Sequence, residues 1–155
     1  MKKTEKEVWK EFPLGYKSKF RYAISNFGRM VSFTDDIKNG RPIIGGKGKY
    51  YRKMIYNFKR NGQVTTKILY FHQLVGAFFL PNKPEGKAGI IHLDYDRTNN
   101  RVDNLRWATK DELKDYNRKD PGLIESKLKH LARGLAKKYN TSPGLQPRTM
   151  FLPGE

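Results

Sequence analysis

The sequence predicts an α+β protein: a small basic antiparallel sheet, a mixed core of short strands and helices, a basic helix and an extended tail. Three observations predict it. Residues 21–70 alternate aromatic, β-branched and basic side chains, with breaks at Asn26-Phe27-Gly28, Lys38-Asn39-Gly40, Gly45-Gly46-Lys47-Gly48 and Asn61-Gly62; this is the pattern of hairpins. Ile124, Leu128, Leu131 and Leu135 instead recur at helical spacing. The last sixteen residues, Asn140 to Glu155, hold three prolines and two glycines and have no apolar face to bury.

Composition narrows the function. The chain has 155 residues, with 32 Lys/Arg against 15 Asp/Glu, a formal net charge of +17 and no cysteine. Disulfide scaffolds, thiolate zinc sites and cysteine nucleophiles are excluded. No apolar run approaches the ~20 residues that span a bilayer, and the start MKKTEKEVWKE lacks the apolar segment of a signal peptide. A cytoplasmic location is expected. A chain this basic binds polyanions. The charge is also placed: residues 1–70 carry 17 Lys/Arg against 5 Asp/Glu, while residues 71–109 carry 5 against 4. Nucleic acid is the expected partner. An anionic membrane is the weaker rival, because the basic stretches read as strands and turns more than as one long amphipathic helix.

Taken in order, Arg21–Asn26 and Arg29–Phe33 read as a hairpin around Gly28. Tyr50–Lys59 and Val64–Tyr70 read as a second, turning at Arg60-Asn61-Gly62-Gln63. Basic residues interleave with Tyr51, Tyr56 and Phe58 there, a mixture that can track phosphates and stack on bases. Period-2 alternation sends at least half of those aromatics inward. His72–Phe79 is a short helix ended by Pro81, with His72 packing or capping. Ile90–Leu93 is a short strand, and Asp94–Asn100 a polar turn. Val102–Lys114 is expected to hold a turn and the start of a helix, with Leu105 and Trp107 buried. Asp120 is an N-cap with Pro121 at the first helical position, opening a helix whose polar side carries Lys127, Lys129, His130, Arg133, Lys137 and Lys138.

Two stretches carry a family resemblance. Val8-Trp9-Lys10-Glu11-Phe12, followed by Tyr22 to Ser32 (YAISNFGRMVS), resembles the small modular domain that precedes HNH nuclease domains in phage and intron homing endonucleases. Phe71 to Phe78 (FHQLVGAF), Ile91-His92 and Thr98 to Trp107 (TNNRVDNLRW) resemble the HNH, or ββα-metal, domain itself. The resemblance implies a nuclease-associated module over residues 1–45 and an HNH-like ββα core over 46–118. A basic amphipathic helix (119–139) and the tail (140–155) follow. It implies His92 as the general base and Asn104 as the residue bracing the motif loop. It also implies oxygen ligands for one hard cation, Mg²⁺ in an active enzyme. One ligand should precede His92, where this chain has Ile91. The other should fall at Leu113. Neither side chain has a lone pair to offer, so no metal ligand is assigned; Asp94, Asp111 and Glu112 are the neighbours that could rebuild a site.

The resulting expectation is non-catalytic nucleic-acid binding on a degenerate scaffold, with His92 structural. RNA is favoured over DNA, as a ribosomal or ribosome-associated rRNA-binding component: the ligands are replaced, the usual C-terminal sequence-reading domain is not seen, and basic chains with Pro/Gly extensions thread into large ribonucleoprotein assemblies. The alternative is an active, metal-dependent HNH endonuclease cleaving DNA. Arg29, Lys47, Lys49, Arg52, Lys53, Lys59, Arg60, Lys67, Arg101, Lys129, Arg133 and Lys137 are the expected nucleic-acid contacts.

Overall fold

The computed structural model describes residues 6–47 and 51–140. Lys49 and the tail beyond Asn140 lie outside the described residues. The chain divides into two units, residues 1–116 and 117–155.

The first unit is α+β, with three antiparallel sheets. Strands β1 (Trp9–Phe12), β2 (Arg21–Ser25), β3 (Met30–Phe33) and β4 (Arg41–Ile43) form a four-stranded sheet in chain order. β2 and β3 are the expected hairpin; β1 and β4 add an edge on each side. Pro42 sits in β4, which is an edge strand, where its missing N–H costs nothing. β5 (Gly46–Lys47), β6 (Arg52–Arg60) and β7 (Gln63–Tyr70) form a second sheet. The β6–β7 turn is Asn61-Gly62, both at positive φ (51° and 78°), the backbone twist that a tight two-residue hairpin requires.

Alternation sorts β6 and β7 by face. Met54, Tyr56 and Leu69 pack against the core, and Tyr16 stacks on Tyr56 and Phe58 at centroid distances of 5.5 and 5.3 Å. Ile55, Asn57, Lys59, Val64, Thr66 and Ile68 face solvent. Tyr56 and Phe58 are half-buried and stacked on Tyr16, in keeping with the inward fate expected for at least half of these aromatics.

Helix α1 (Phe71–Phe79) buries Phe71, Val75 and Gly76, which share one face at i, i+4 and i+5. They meet Phe12, Leu14, Ile24, Met30 and Leu105 in the main core. Gly76 lets β8 approach: a Cβ there would stand 2.2 Å from Ile90 Cδ1.

β8 (Lys87–His92) pairs with β9 (Leu105–Thr109), and α2 (Lys110–Lys119) follows. The sequence reading of 102–114 needs correction here. A 3-10 turn (Val102–Asn104) leads into a strand before the helix starts. The LRWAT alternation is weak as a strand signal, and pairing with β8 imposes it. Leu105 is buried as expected, but Trp107 is only half-buried, its indole Nε1 donating to the Pro81 carbonyl at 2.9 Å.

In the second unit α3 (Pro121–Asn140) is a single helix of 20 residues. Asp120 caps it, its carboxylate accepting from Gly122 N at 2.8 Å and Leu123 N at 3.3 Å.

Candidate functional site

The loop between β8 and β9 is built around Asn104. Its Oδ1 accepts from Asp94 N (3.1 Å), and its Nδ2 donates to Asp94 Oδ1 (2.8 Å) and to the Asn99 carbonyl (2.9 Å). One amide thus fixes both ends of a twelve-residue excursion. Asp94 also accepts from Asn99 Nδ2 (2.7 Å) and Asp96 N (2.8 Å). Burial works to raise the Asp94 carboxyl, but these donors together hold it below the usual carboxylate range. Asp96 repeats the motif one turn on, accepting from the Thr98 N–H and hydroxyl, an Asx-turn.

His92 is fully buried, with Nε2 3.0 Å from Asn100 Oδ1. An amide oxygen only accepts, so Nε2 carries the proton and Nδ1 the lone pair. Burial lowers the His92 imidazole below its ordinary value; the Asn100 bond and Asp94 only partly oppose it. His92 is therefore a neutral imidazole at neutral pH. His72, from the first turn of α1, lies against it with ring centroids 5.3 Å apart, and Tyr51 covers both rings, 4.6 Å from His72 and 5.9 Å from His92. Burial first, then His92 and Arg97, push His72 down to about 4. His72 Nδ1 and Asn100 Nδ2 have no hydrogen-bond partner among the described residues.

A depressed histidine pKa means that the unfolded chain binds the proton first. Its stabilising contribution is present above pH 6.5 and is lost as pH falls from 6.5 towards 4. For His72 this amounts to about 3 kcal/mol at full loss. Carboxylates act at lower pH: Glu112, held down to about 2, matters only below the ordinary Glu range. Urea midpoints at pH 7.5, 6.0 and 5.0 are expected to fall steadily. His72→Phe is expected to flatten that fall; an unchanged slope would remove His72 as its cause.

The N-terminal module closes over this loop. Val102 N donates to the Asn26 carbonyl at 2.9 Å, and the Arg101 guanidinium lies 4.2 Å from the Phe27 ring centroid. Gly28, at φ +75°, leaves no room for a side chain: a Cβ would stand 2.6 Å from both Asn100 Cβ and the Asn100 carbonyl oxygen.

The positions at which the resemblance expects cation ligands do not fit a cation. Ile91 is buried with Ala108 and Tyr116, and Leu113 packs against that cluster. The candidates for rebuilding the site are committed elsewhere. Glu112 closes a capping box with Thr109, its carboxylate accepting from Thr109 N at 2.7 Å while Glu112 N donates to Thr109 Oγ1 at 3.2 Å. It also accepts from Lys87 (2.9 Å) and Arg106 (3.0 Å). Asp111 is exposed and pairs with Lys114 at 3.7 Å. Among the described residues no three His, Asp or Glu side chains converge as a metal site. Glu112→Ala is expected to lower the urea midpoint through the lost capping box. Glu112→Gln, which can still accept from Thr109 N, is expected to recover most of it.

The expected nucleic-acid contacts fall into groups. Lys59, Arg60 and Lys67 are exposed on the β6–β7 hairpin, and Lys53 is half-buried beside them. Lys47 lies on β5. Arg52 donates to the Ile44 carbonyl at 2.9 Å. Arg29 is bound by Glu7, and Arg101 by Asp103 at 3.2 Å, so both have structural work within the fold. Lys129, Arg133 and Lys137 are exposed on α3, Lys129 paired with Glu125 at 2.6 Å. The sequence reading placed Asn100 among the loop-fixing asparagines and Tyr51 among the hairpin aromatics, and missed the Asn100 bond to His92, the cover Tyr51 gives both rings and the orientation of His72 towards His92. The paired Asn99-Asn100 was a visible signal for a fixed loop; nothing in the spacing could bring α1 beside β8.

Residues 69–114 match the family model described as HNH endonuclease. The chain is 32% identical over 108 residues to an uncharacterized HNH endonuclease of Acanthamoeba polyphaga mimivirus; this covers 68% of the chain but only 25% of that relative's length. The chain thus spans about a quarter of the curated relative it matches. The HNH homing endonuclease I-HmuI, solved to describe its DNA binding and cleavage, superposes with a TM-score of 0.51 at 26% identity, over 81% of this chain and 66% of that one. With the loop, the buried histidine and the ββα order already in place, these similarities identify an HNH endonuclease-like domain at residues 69–114 within a fold similar to that homing endonuclease.

Proposed function

We propose that this protein binds DNA without cleaving it, using the basic β6–β7 hairpin beside an HNH-type domain. The observation that carries the reading is the apolar contact of Leu113 with the Ile91 cluster, where the resemblance expects oxygen ligands. A lone neutral imidazole cannot offset the charge that builds on a phosphodiester during attack; a cation is worth several kcal/mol there. DNA is favoured over RNA because the similar solved structure is a DNA-cleaving homing endonuclease. Nothing in the comparisons supports RNA or the ribosome, the partner favoured by the sequence alone.

A second reading is metal-dependent strand cleavage with His92 as the base. The two similarities to HNH endonucleases favour it, as does His92 itself, held neutral with its Nδ1 lone pair unprotonated. One experiment separates the readings. Anisotropy titrations against a DNA duplex, and against an RNA duplex of equal length, are run from 0.05 to 0.3 M salt, with supercoiled plasmid incubated in parallel in Mg²⁺ and Mn²⁺. DNA is expected to bind more tightly than RNA, with no nicking. Replacing Lys59, Arg60 and Lys67 by Ala is expected to reduce the log–log salt slope by up to about three. Nicking abolished by His92→Ala would establish the second reading, and a preference for RNA would return the sequence's expectation.

A further inference from the structure

The imidazoles of His92 and His72 are 1 and 7% exposed. Tyr51 lies on both of them, its ring plane tilted by 31° from that of His72 and by 37° from that of His92. Arg97, from the turn between β8 and β9, places its guanidinium 5.2 Å from the centroid of the Tyr51 ring. Tyr51 and Arg97 are each half-buried. On this side, then, the buried imidazoles are closed off by a side chain that itself reaches solvent, with a cation over it.

Tyr51 is held less firmly than the core beneath it. It precedes β6 and stands outside the strand ladder. Its side chain rests on the two imidazoles and meets the Tyr70 ring edge-on at 6.1 Å. Arg97 adds a cation–π contact, which at a partly exposed position biases an equilibrium by about two- to five-fold. A phosphate offers the same guanidinium paired charge-assisted hydrogen bonds that match its fork, a stronger partner than a phenol ring. A phosphate that reaches Arg97 therefore draws it off Tyr51.

We propose that Tyr51 is a lid over His92, latched by Arg97 and loosened when a phosphate group takes that guanidinium. In a protein that only binds DNA, the closed lid keeps the imidazole from the phosphodiester; in one that cleaves, it has to open before attack. The proposal leans on nucleic-acid binding only for the source of the phosphate. Inorganic phosphate is the probe used here, so its failure leaves that reading untouched.

The chain has three histidines, and His130, exposed on α3, serves as an internal reference. Diethyl pyrocarbonate acylates a neutral imidazole nitrogen that it can reach. Its rate at each histidine of the full chain is read by peptide mass spectrometry at pH 7.5, as a ratio to His130. In the parent, His92 is expected to label much more slowly than His130. Tyr51→Ala is expected to bring His92 to within a few-fold of His130, and Tyr51→Phe, which keeps the ring, to label as the parent does. Arg97→Ala is expected to raise the His92 ratio by about two- to five-fold, the size of the lost latch. Phosphate at 50 mM, against chloride of equal ionic strength, is expected to raise the parent's ratio similarly and to leave Arg97→Ala unchanged. Circular dichroism shows whether each variant is folded; should Tyr51→Ala unfold, the Arg97→Ala and phosphate measurements still decide. A parent His92 as reactive as His130, or a folded Tyr51→Ala no faster than the parent, overturns the lid. A parent indifferent to phosphate, or an equal response in Arg97→Ala, overturns the latch.

Discussion

Gly28→Ala is expected to destabilise the first unit by about 3 kcal/mol. Left-handed backbone costs an L-residue roughly 1–2 kcal/mol, and overpacking against fixed atoms typically adds 1–3 kcal/mol. The obstruction here is the Asn100 main chain, not the free end of a side chain, so it cannot be relieved by a rotamer change. The expected signature is a fall in Tm on the order of 10 °C. A second effect should accompany it. Asn100 supplies the only hydrogen bond described for His92 Nε2, and that bond opposes the lowering of the imidazole by burial, so displacing Asn100 should move the His92 C2 proton titration, read by NMR, further below the ordinary histidine range. Gly62→Ala is the control: it also has positive φ, but nothing stands within 4 Å of its Cβ position. If both variants lose equal stability, the close packing of the N-terminal turn on the HNH loop is not what Gly28 provides.

Ile91→Asp carries the second large effect. In the parent, Ile91 is 5% exposed and packs with Ala108 and Tyr116. An unpaired carboxylate buried there is expected to cost several kcal/mol, or to stay protonated instead. Combining it with Leu113→Asn supplies the two oxygen donors that the resemblance expects. The double variant is expected to be much less stable than the parent in EDTA and to regain stability in millimolar Mn²⁺, following the linkage of a ligand that binds only the folded state. The parent's Tm should be the same in EDTA and in Mn²⁺. A parent stabilised by Mn²⁺ would mean that Asp94 or another carboxylate already holds a cation, and the non-cleaving reading would fall. A double variant indifferent to Mn²⁺ would mean that the two positions do not face a common point.

Most of the fold was legible because its signals are local. Asn61-Gly62 can close only a tight hairpin, Asp120-Pro121 can open only a helix, and Ile124 to Leu135 can only share one face. The HNH-like order is carried by short motifs, and the bracing role of Asn104 follows from the resemblance they carry. The overlooked features are those that depend on pairing. β9 exists because β8 lies beside it, and LRWAT alone does not announce a strand. β1 and β4 are edges recruited by the β2–β3 hairpin. The composition pointed only to a polyanion, since phosphate attraction is the same for either polymer; the preference for RNA rested on the replaced ligands, the unseen C-terminal domain and the Pro/Gly tail.

What the sequence determined by itself was the α+β class, the basic character and the presence of Ile91 and Leu113 at positions where the resemblance expects oxygen donors. Identity alone decides whether a side chain has a lone pair. What only the tertiary structure decided was whether other donors fill the gap. Asp94 is taken up by Asn99 and Asn104, Glu112 by Thr109, Lys87 and Arg106, and Leu113 packs against the apolar cluster that holds Ile91. The neutral His92, set by burial beside His72 and Tyr51, likewise follows from α1 and β8 coming together across twenty residues of chain, a distance that no local pattern spans.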